Sequence, residues 1–235
     1  MKERWLAIDT ATDIASVAVD AGGETVARAI RGAREHAAKI LPLVQEVLTL
    51  ARLSLTDISG IIVGDGPGSF TGLRIGWAAA KGLAHEHQLP LVAIPSLLGA
   101  AHAAGVNVAA ACYDALRGEV FGAVYAFEGD QVKTIVTPDL YTIPTLAVRA
   151  RQSPDLAVGD GSELDRKTVV AWTGRAPVGI AELPPIAGSL LALVAYDRAR
   201  SAIDRNLAEP VYGRRAEAQV KWEARYGRPL PHSSR

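Results

Sequence analysis

One order of elements runs twice along this chain, and that constrains its fold more than any other feature. Residues 5–8 form a short apolar strand, residues 9–13 (Asp9 to Asp13) a polar turn, and residues 14–19 a second strand. Ala21-Gly22-Gly23 is a tight turn into a third strand over 24–30. A helix over 35–52 and a buried strand over 60–63 then lead into Gly64-Asp65-Gly66. From residue 106 the plan returns: a strand over 106–113 ending at Asp114, a turn holding Arg117-Gly118, an alternating strand over 119–127, and the turn Glu128-Gly129-Asp130. A strand over 131–136, a helix after Pro144 and a short strand over 156–158 run into Gly159-Asp160-Gly161. The halves share order rather than residue identity. Repetition of this kind predicts two similar α/β lobes with mixed sheets.

The expected boundaries are 1–104 for a first lobe, 105–209 for a second and 210–235 for a basic C-terminal segment that rejoins the first. At 49% hydrophobic and 21% charged, the 235 residues can bury a sizeable core, which excludes global disorder. The 25 basic residues balance the 25 acidic ones, a poor starting point for gripping nucleic acid unaided. Cys112, the one cysteine, lies in an apolar run and reads as a buried small hydrophobe, which suits a reducing cytoplasm. Residues 88–113 carry no formal charge over a length that would span a bilayer. Pro90, Pro95, Gly105 and Asn107 divide them into strand 91–94, helix 96–104 and strand 106–112. With no signal-peptide pattern after Met1, the expectation is a soluble, cytoplasmic protein.

The helix over 35–52 places Ala37, Leu41, Val44, Val47, Leu48 and Ala51 on one stripe, and Pro42 bends it. The densest local signal follows the strand over 60–63: Gly66, Pro67, Gly68, Ser69, Phe70, Thr71 and Gly72, opening a helix over 71–87. A glycine turn at a helix start suits either an anion or a plain capped turn with Ser69 or Thr71 as N-cap. It lacks the Walker A lysine and the dinucleotide glycine spacing. Within the helix, Gly72, Gly76, Ala80 and Ala84 form a small-residue stripe. Such a stripe fits close packing on the chain's own sheet or against a helix of another subunit. A further helix is expected over 187–203. The tail beyond Gly213 holds Arg214, Arg215, Lys221, Arg225, Arg228 and Arg235, which suits a solvated end or a tRNA-backbone contact.

Catalytic patterns are sparse. Asp9 and Asp114 each end a strand, where a carboxylate serves as a base, holds a metal-bound water or caps a turn. His85 and His87 are two apart and cannot face one metal, and no His-x-x-x-His occurs. Glu35 beside His36, and Arg117 with Glu119, read as surface residues. No catalytic or metal-ligating set assembles.

Several strings resemble one family along almost the whole chain. They are Leu6-Ala-Ile-Asp9-Thr10, Arg34-Glu35-His36 to Leu41-Pro42-Leu43, and above all residues 63–76 with Gly-Pro-Gly-Ser-Phe-Thr-Gly-Leu-Arg. Ala80-Lys81-Gly82-Leu83-Ala84, Asp114-Ala115 with Arg117-Gly118-Glu119-Val120, Val158-Gly159-Asp160-Gly161 and Pro210-Val211-Tyr212 complete the set. These are similar to the TsaB (YeaZ) family. The resemblance implies an actin/hexokinase/chaperone-ATPase fold. It also implies a part in placing threonylcarbamoyl on N6 of adenosine 37 in tRNAs reading codons that begin with A. In that scheme a separate enzyme makes threonylcarbamoyl-adenylate from threonine, bicarbonate and ATP. The metal enzyme TsaD transfers the group, TsaB is its non-catalytic partner, and the small ATPase TsaE completes the complex.

Two departures from the catalytic paralogue follow. Where TsaD-like chains carry a His-x-x-x-His metal pair, this chain has Ser96 and Ala100, with His102 a lone neighbour, so metal-dependent transfer is not expected of it. Asp9-Thr10-Ala11-Thr12 lacks the glycine of ATP-using first loops. The expected cofactor list is therefore empty, apart from ATP or ADP at a partner junction. An independent phosphotransferase using residues 66–72 is the alternative, and the peptidase label once attached to the superfamily lacks a nucleophile–base pair here. The resemblance also implies that the first two helices bundle with TsaD, or with a second copy when alone. The implied contacts are His36, Ile40, Val44, Leu73, Arg74, Gly76, Trp77, Ala80 and Ala84. Replacing Gly76 by leucine is accordingly expected to abolish pairing and spare the fold.

Overall fold

The computed structural model describes residues 3–32, 34–129, 131–194, 209–214, 222 and 225–227. Five strands form the first sheet: β1 (Trp5–Asp9), β2 (Ile14–Asp20), β3 (Thr25–Arg31), β4 (Gly60–Gly64) and β5 (Leu91–Ile94), in the order β3-β2-β1-β4-β5. β1 pairs antiparallel with β2 and parallel with β4, and β4 is parallel to β5. Every residue of β1, β4 and β5 is buried, as strands covered on both faces must be. β3, at the edge, leaves its arginines in solvent.

The second sheet repeats the plan. β6 (Val108–Asp114), β7 (Val120–Glu128), β8 (Gln131–Tyr141) and β9 (Leu156–Val158) run in the order β8-β7-β6-β9, with the same alternation of antiparallel and parallel pairs. A single parallel bridge from Val158 to Val178 stands where β5 stands in the first sheet. β8 extends past the expected end at residue 136 and takes in Pro138. It tolerates the missing N–H because it is an edge strand and its pairing with β7 shifts register twice there.

Six helices among the described residues cover the sheets: α1 (His36–Leu50), α2 (Phe70–Glu86), α3 (Ser96–Ala103), α4 (Ile143–Ala150), α5 (Arg166–Thr173) and α6 (Ile186–Ala192). α1 buries Ile40, Leu43, Val44, Val47 and Leu48 on the first sheet, together with Trp77, Ala80 and Ala84 of α2. Ala37 and Leu41, expected on the buried stripe, are exposed. The helix carries more apolar residues than one face holds, and Ile40 with Leu43 extends the inner one. α4 and α5 cover the outer face of the second sheet around Cys112, Val124, Leu146 and Val169. α5, unforeseen in the sequence, is started by Asp165, which accepts from the Thr168 N–H at 3.1 Å, and ended by Gly174 in the left-handed region.

Between the sheets lies a third, shared core. α3 and α6 cross there at Gly99, where a Cβ would lie 2.7 Å from Leu190. Alanines line it from both sheets: Ala7 and Ala18 from the first, Ala109, Ala111 and Ala123 from the second. α6 therefore packs on the first sheet, although its sequence position falls within the expected second lobe over 105–209. Of the helix expected over 187–203, residues 195–203 lie outside the described residues, as do Arg215, Lys221, Arg228 and Arg235 of the tail.

Candidate functional site

The glycine string meets the turn between β1 and β2. Cβ atoms on Gly68 and Gly72 would overlap the carbonyl oxygens of Ala11 and Thr10. The Ser69 N–H donates to the Ala11 carbonyl at 2.7 Å, and the Thr10 hydroxyl donates to the Gly72 carbonyl at 2.7 Å. Ser69 is the N-cap of α2, its hydroxyl accepting from the Gly72 N–H at 3.2 Å. Two donors of the helix start are thus engaged by the chain itself, as the capped-turn alternative requires. Gly66 is left-handed, with φ +98°, and joins Pro67 through a cis peptide bond; both residues are buried.

Asp9, at the end of β1, is buried beneath this loop. Its Oδ2 accepts from the Ser96 hydroxyl at 2.6 Å and its Oδ1 from the Ala11 N–H at 3.3 Å. Ser96 Oγ also accepts from the Gly66 N–H at 3.2 Å, and the Ser96 carbonyl accepts from the Tyr113 hydroxyl at 2.9 Å. Burial pushes the Asp9 carboxyl up to about 6, against the opposing pull of the Ser96 and Ala11 hydrogen bonds. Burial, with Asp9 nearby, also raises the Tyr113 phenol well above its usual value. The network joins β1, the glycine loop, α3 and β6. Its traces in the sequence are the strand-terminal Asp9 and Ser96, marked out only as standing where TsaD-like chains carry a histidine; Tyr113 gives none.

Asp114, the counterpart of Asp9, is exposed and accepts from the Leu116 N–H at 2.7 Å as a turn cap. Ser96 points at Asp9, Ala100 is buried in the shared core, and His102 packs edge-on against Phe127 with its basicity lowered by burial. Among the described residues, no three His, Cys, Asp or Glu side chains converge as a metal set. Burial drives the Cys112 thiol up to about 12. No described helix is long and apolar enough to cross a membrane.

The expected partner contacts need correction. His36, Ile40, Val44, Leu73, Gly76, Trp77, Ala80 and Ala84 are buried inside the chain, because the stripe of α2 packs on its own sheet; Arg74 alone of that set is exposed. His36, expected at the surface, lies under the turn after β1 with Nε2 3.2 Å from the Asp13 carbonyl oxygen. A leucine at position 76 would drive into the Thr10 side chain, so the expectation of an intact fold fails. The outward faces carry Ala38, Leu41, Pro42 and Gln45 on α1, and Arg74, Ala78 and Gly82 on α2.

The described C-terminal stretch over 209–214 lies along the glycine loop. The Val211 N–H donates to the Asp65 carbonyl at 2.9 Å, and the Tyr212 ring stacks on Phe70 at 4.6 Å between centroids. A Cβ on Gly213 would come within 2.7 Å of both Pro67 and Phe121, which fixes this strap against both lobes.

Two sheets of one topology, each with an aspartate ending its first strand, define an actin/hexokinase-like two-lobed protein. The profile of the family described as TsaD, tRNA N6-adenosine threonylcarbamoyltransferase, matches residues 30–158. The chain is 40% identical over 147 residues to the tRNA threonylcarbamoyladenosine biosynthesis protein TsaB of Escherichia coli, covering 58% of this chain and 64% of that one. It is 28% identical over 223 residues to TsaB of Bacillus subtilis, covering 92% and 96%. The match thus spans less than two thirds of the E. coli relative and nearly all of the B. subtilis one. The solved structure of YeaZ from Pseudomonas aeruginosa superposes with a TM-score of 0.76 at 29% identity, covering 90% of this chain and all of that one. The chain belongs to the TsaB (YeaZ) family.

Proposed function

We propose that this chain serves tRNA threonylcarbamoyladenosine biosynthesis as the accessory, non-catalytic partner of TsaD. There it supports transfer of threonylcarbamoyl to N6 of adenosine 37 in tRNAs reading codons that begin with A. Its kinship with proteins named TsaB supports the pathway. The observation that carries the accessory role is Ser96: at a position where TsaD-like chains are expected to hold a metal-ligating histidine, a buried hydroxyl is committed to Asp9.

The outward faces of α1 and α2 take the partner. Leu41 is 53% exposed beside Pro42, and Ala78 and Gly82 offer a low surface on which another helix can lie closely. The same face pairs two copies when TsaD is absent, and TsaE joins the assembled complex. ATP or ADP belongs at the junction with the partner, since two donors of the glycine loop, the Ser69 and Gly72 N–H groups, are already engaged by the Ala11 carbonyl and the Ser69 hydroxyl. Docking acts by favouring the competent state of TsaD through contacts that differ between its two states.

The test is a reconstituted transfer of labelled threonine to tRNA with TsaD, TsaE and the adenylate-forming enzyme of the same organism. Label is expected only when this chain is present. Equal transfer without it removes the accessory role. Nucleotide turnover by the isolated chain would instead favour a phosphotransferase working at residues 66–72.

A further inference from the structure

Phe70 is 44% exposed at the first turn of α2, an unusual place for a large apolar ring to stay in solvent. Tyr212 stacks on it, with centroids 4.6 Å apart and planes tilted by 33°. The Arg74 guanidinium lies over the Phe70 ring at 5.4 Å, and the Arg214 guanidinium lies over Phe121 at 5.7 Å. Both arginines are exposed, and among the described residues neither forms an ion pair. The positive end of a 17-residue helix opens on the same spot.

We infer that Phe70, Tyr212, Arg74 and Arg214 form a stacking platform for unpaired RNA bases. This deepens the reading of the chain as a tRNA-modification subunit and rests on it. An unpaired base has an apolar face and an adjoining phosphate. Proteins meet the first with aromatic rings or guanidinium planes and the second with unpaired cations. Here both are presented within one patch, and the arginines are already held over rings. Phosphate contact therefore costs them little further side-chain entropy. A protein partner's acidic segment would satisfy the two arginines but leave the aromatic pair without a counterpart. The platform adds affinity inside an assembly, consistent with a chain whose overall charge is zero.

The test uses the full chain in complex with TsaD and a fluorescently labelled anticodon stem-loop, with a fully paired RNA hairpin of equal length as control. Phe70→Leu and Tyr212→Leu keep bulk and remove the ring; Arg74→Gln and Arg214→Gln remove one charge each. The ring variants are expected to weaken binding about tenfold or more. The charge variants are expected to flatten the slope of log affinity against log salt by about 0.7 for each phosphate left without its arginine. Melting temperature should stay unchanged in all four variants, and co-elution with TsaD in Phe70→Leu, Tyr212→Leu and Arg214→Gln. Arg74, on the face assigned to the partner, is read through its RNA salt slope alone, and the paired hairpin should be indifferent to all four substitutions. Unaltered stem-loop affinity overturns the platform. So does loss of co-elution with TsaD in the Phe70, Tyr212 or Arg214 variant, which makes the patch a protein interface. Displacement of RNA from the complex by ATP, sensitive to Phe70→Leu, reassigns it to a mononucleotide. If this chain proves dispensable in the threonine-transfer assay while stem-loop binding still depends on the rings, the accessory reading fails and the platform stands.

Discussion

Ser96 donates a 2.6 Å hydrogen bond to the carboxylate of Asp9, 87 residues earlier in the chain, and both side chains are buried. The bond favours the ionised acid, yet burial outweighs it and holds the folded-state value at about 6, against 3.8 for a solvated aspartate. Between those values the folded protein keeps a proton that the unfolded chain releases, so stability falls as pH rises through the window. The loss from this group amounts to about 3 kcal/mol once the pH is well above the folded-state value. Urea unfolding at acidic and at mildly alkaline pH should reveal it, and Asp9→Asn should flatten the difference. An equal pH dependence in both proteins would place its origin elsewhere.

Ser96→Ala removes the donor to Asp9 and the acceptor of the Gly66 N–H together. The expected destabilisation at neutral pH is about 2–4 kcal/mol, and it shrinks in acid, where Asp9 is mostly protonated. Tyr113→Phe loses one bond to the Ser96 carbonyl and should cost about 1 kcal/mol. Denaturant midpoints of the two variants check both values; a larger loss for Tyr113→Phe than for Ser96→Ala contradicts this ordering.

Two glycines of α2, Gly76 and Gly82, should respond with opposite signs. A methyl on Gly76 meets Thr10 Oγ1, whereas one on Gly82 meets nothing within 4 Å. Gly82→Ala should stabilise by about 0.5–1 kcal/mol through helix propensity, and Gly76→Ala should destabilise by about 1–3 kcal/mol. Thermal unfolding of the pair decides the matter.

Charge on the outward face of the first two helices should break partner docking without touching the core. Leu41→Glu and Ala78→Glu, at exposed positions, are expected to keep the melting temperature within a few degrees and to abolish co-elution with TsaD. Retained co-elution would move the docking surface elsewhere.

The duplicated order of strands is legible because period-2 apolar runs and glycine turns are local signals, and the strands β1 to β9 lie within a few residues of those runs, apart from the extended end of β8. Helix faces are less legible. In α1 and α2 apolar and small residues occupy more than one face, so sequence spacing alone does not say which stripe turns inward. The stripe of Gly72, Gly76, Ala80 and Ala84 has the spacing of an interface, whereas two of its glycines clear the way for Thr10. The site network is hidden for another reason. Asp9, Ser96 and Tyr113 come from distant parts of the chain and are brought together by two sheets and a helix, and no local pattern encodes that meeting. α5 leaves little trace because its eight residues bury only Val169 and so carry a weak periodic signal.

The alanine-lined layer between the two sheets has a consequence for how the molecule comes apart. Neither half owns this layer, because α3 comes from the first half of the chain and α6 from the second, and each packs against the other. Cutting the chain between α3 and β6 would strip both fragments of one wall of their interior. The repeat is thus legible in the connectivity but absent from the energetics. A calorimetric scan should show one heat-absorption peak rather than two, with amide exchange in β1 and β6 slowing to a common rate.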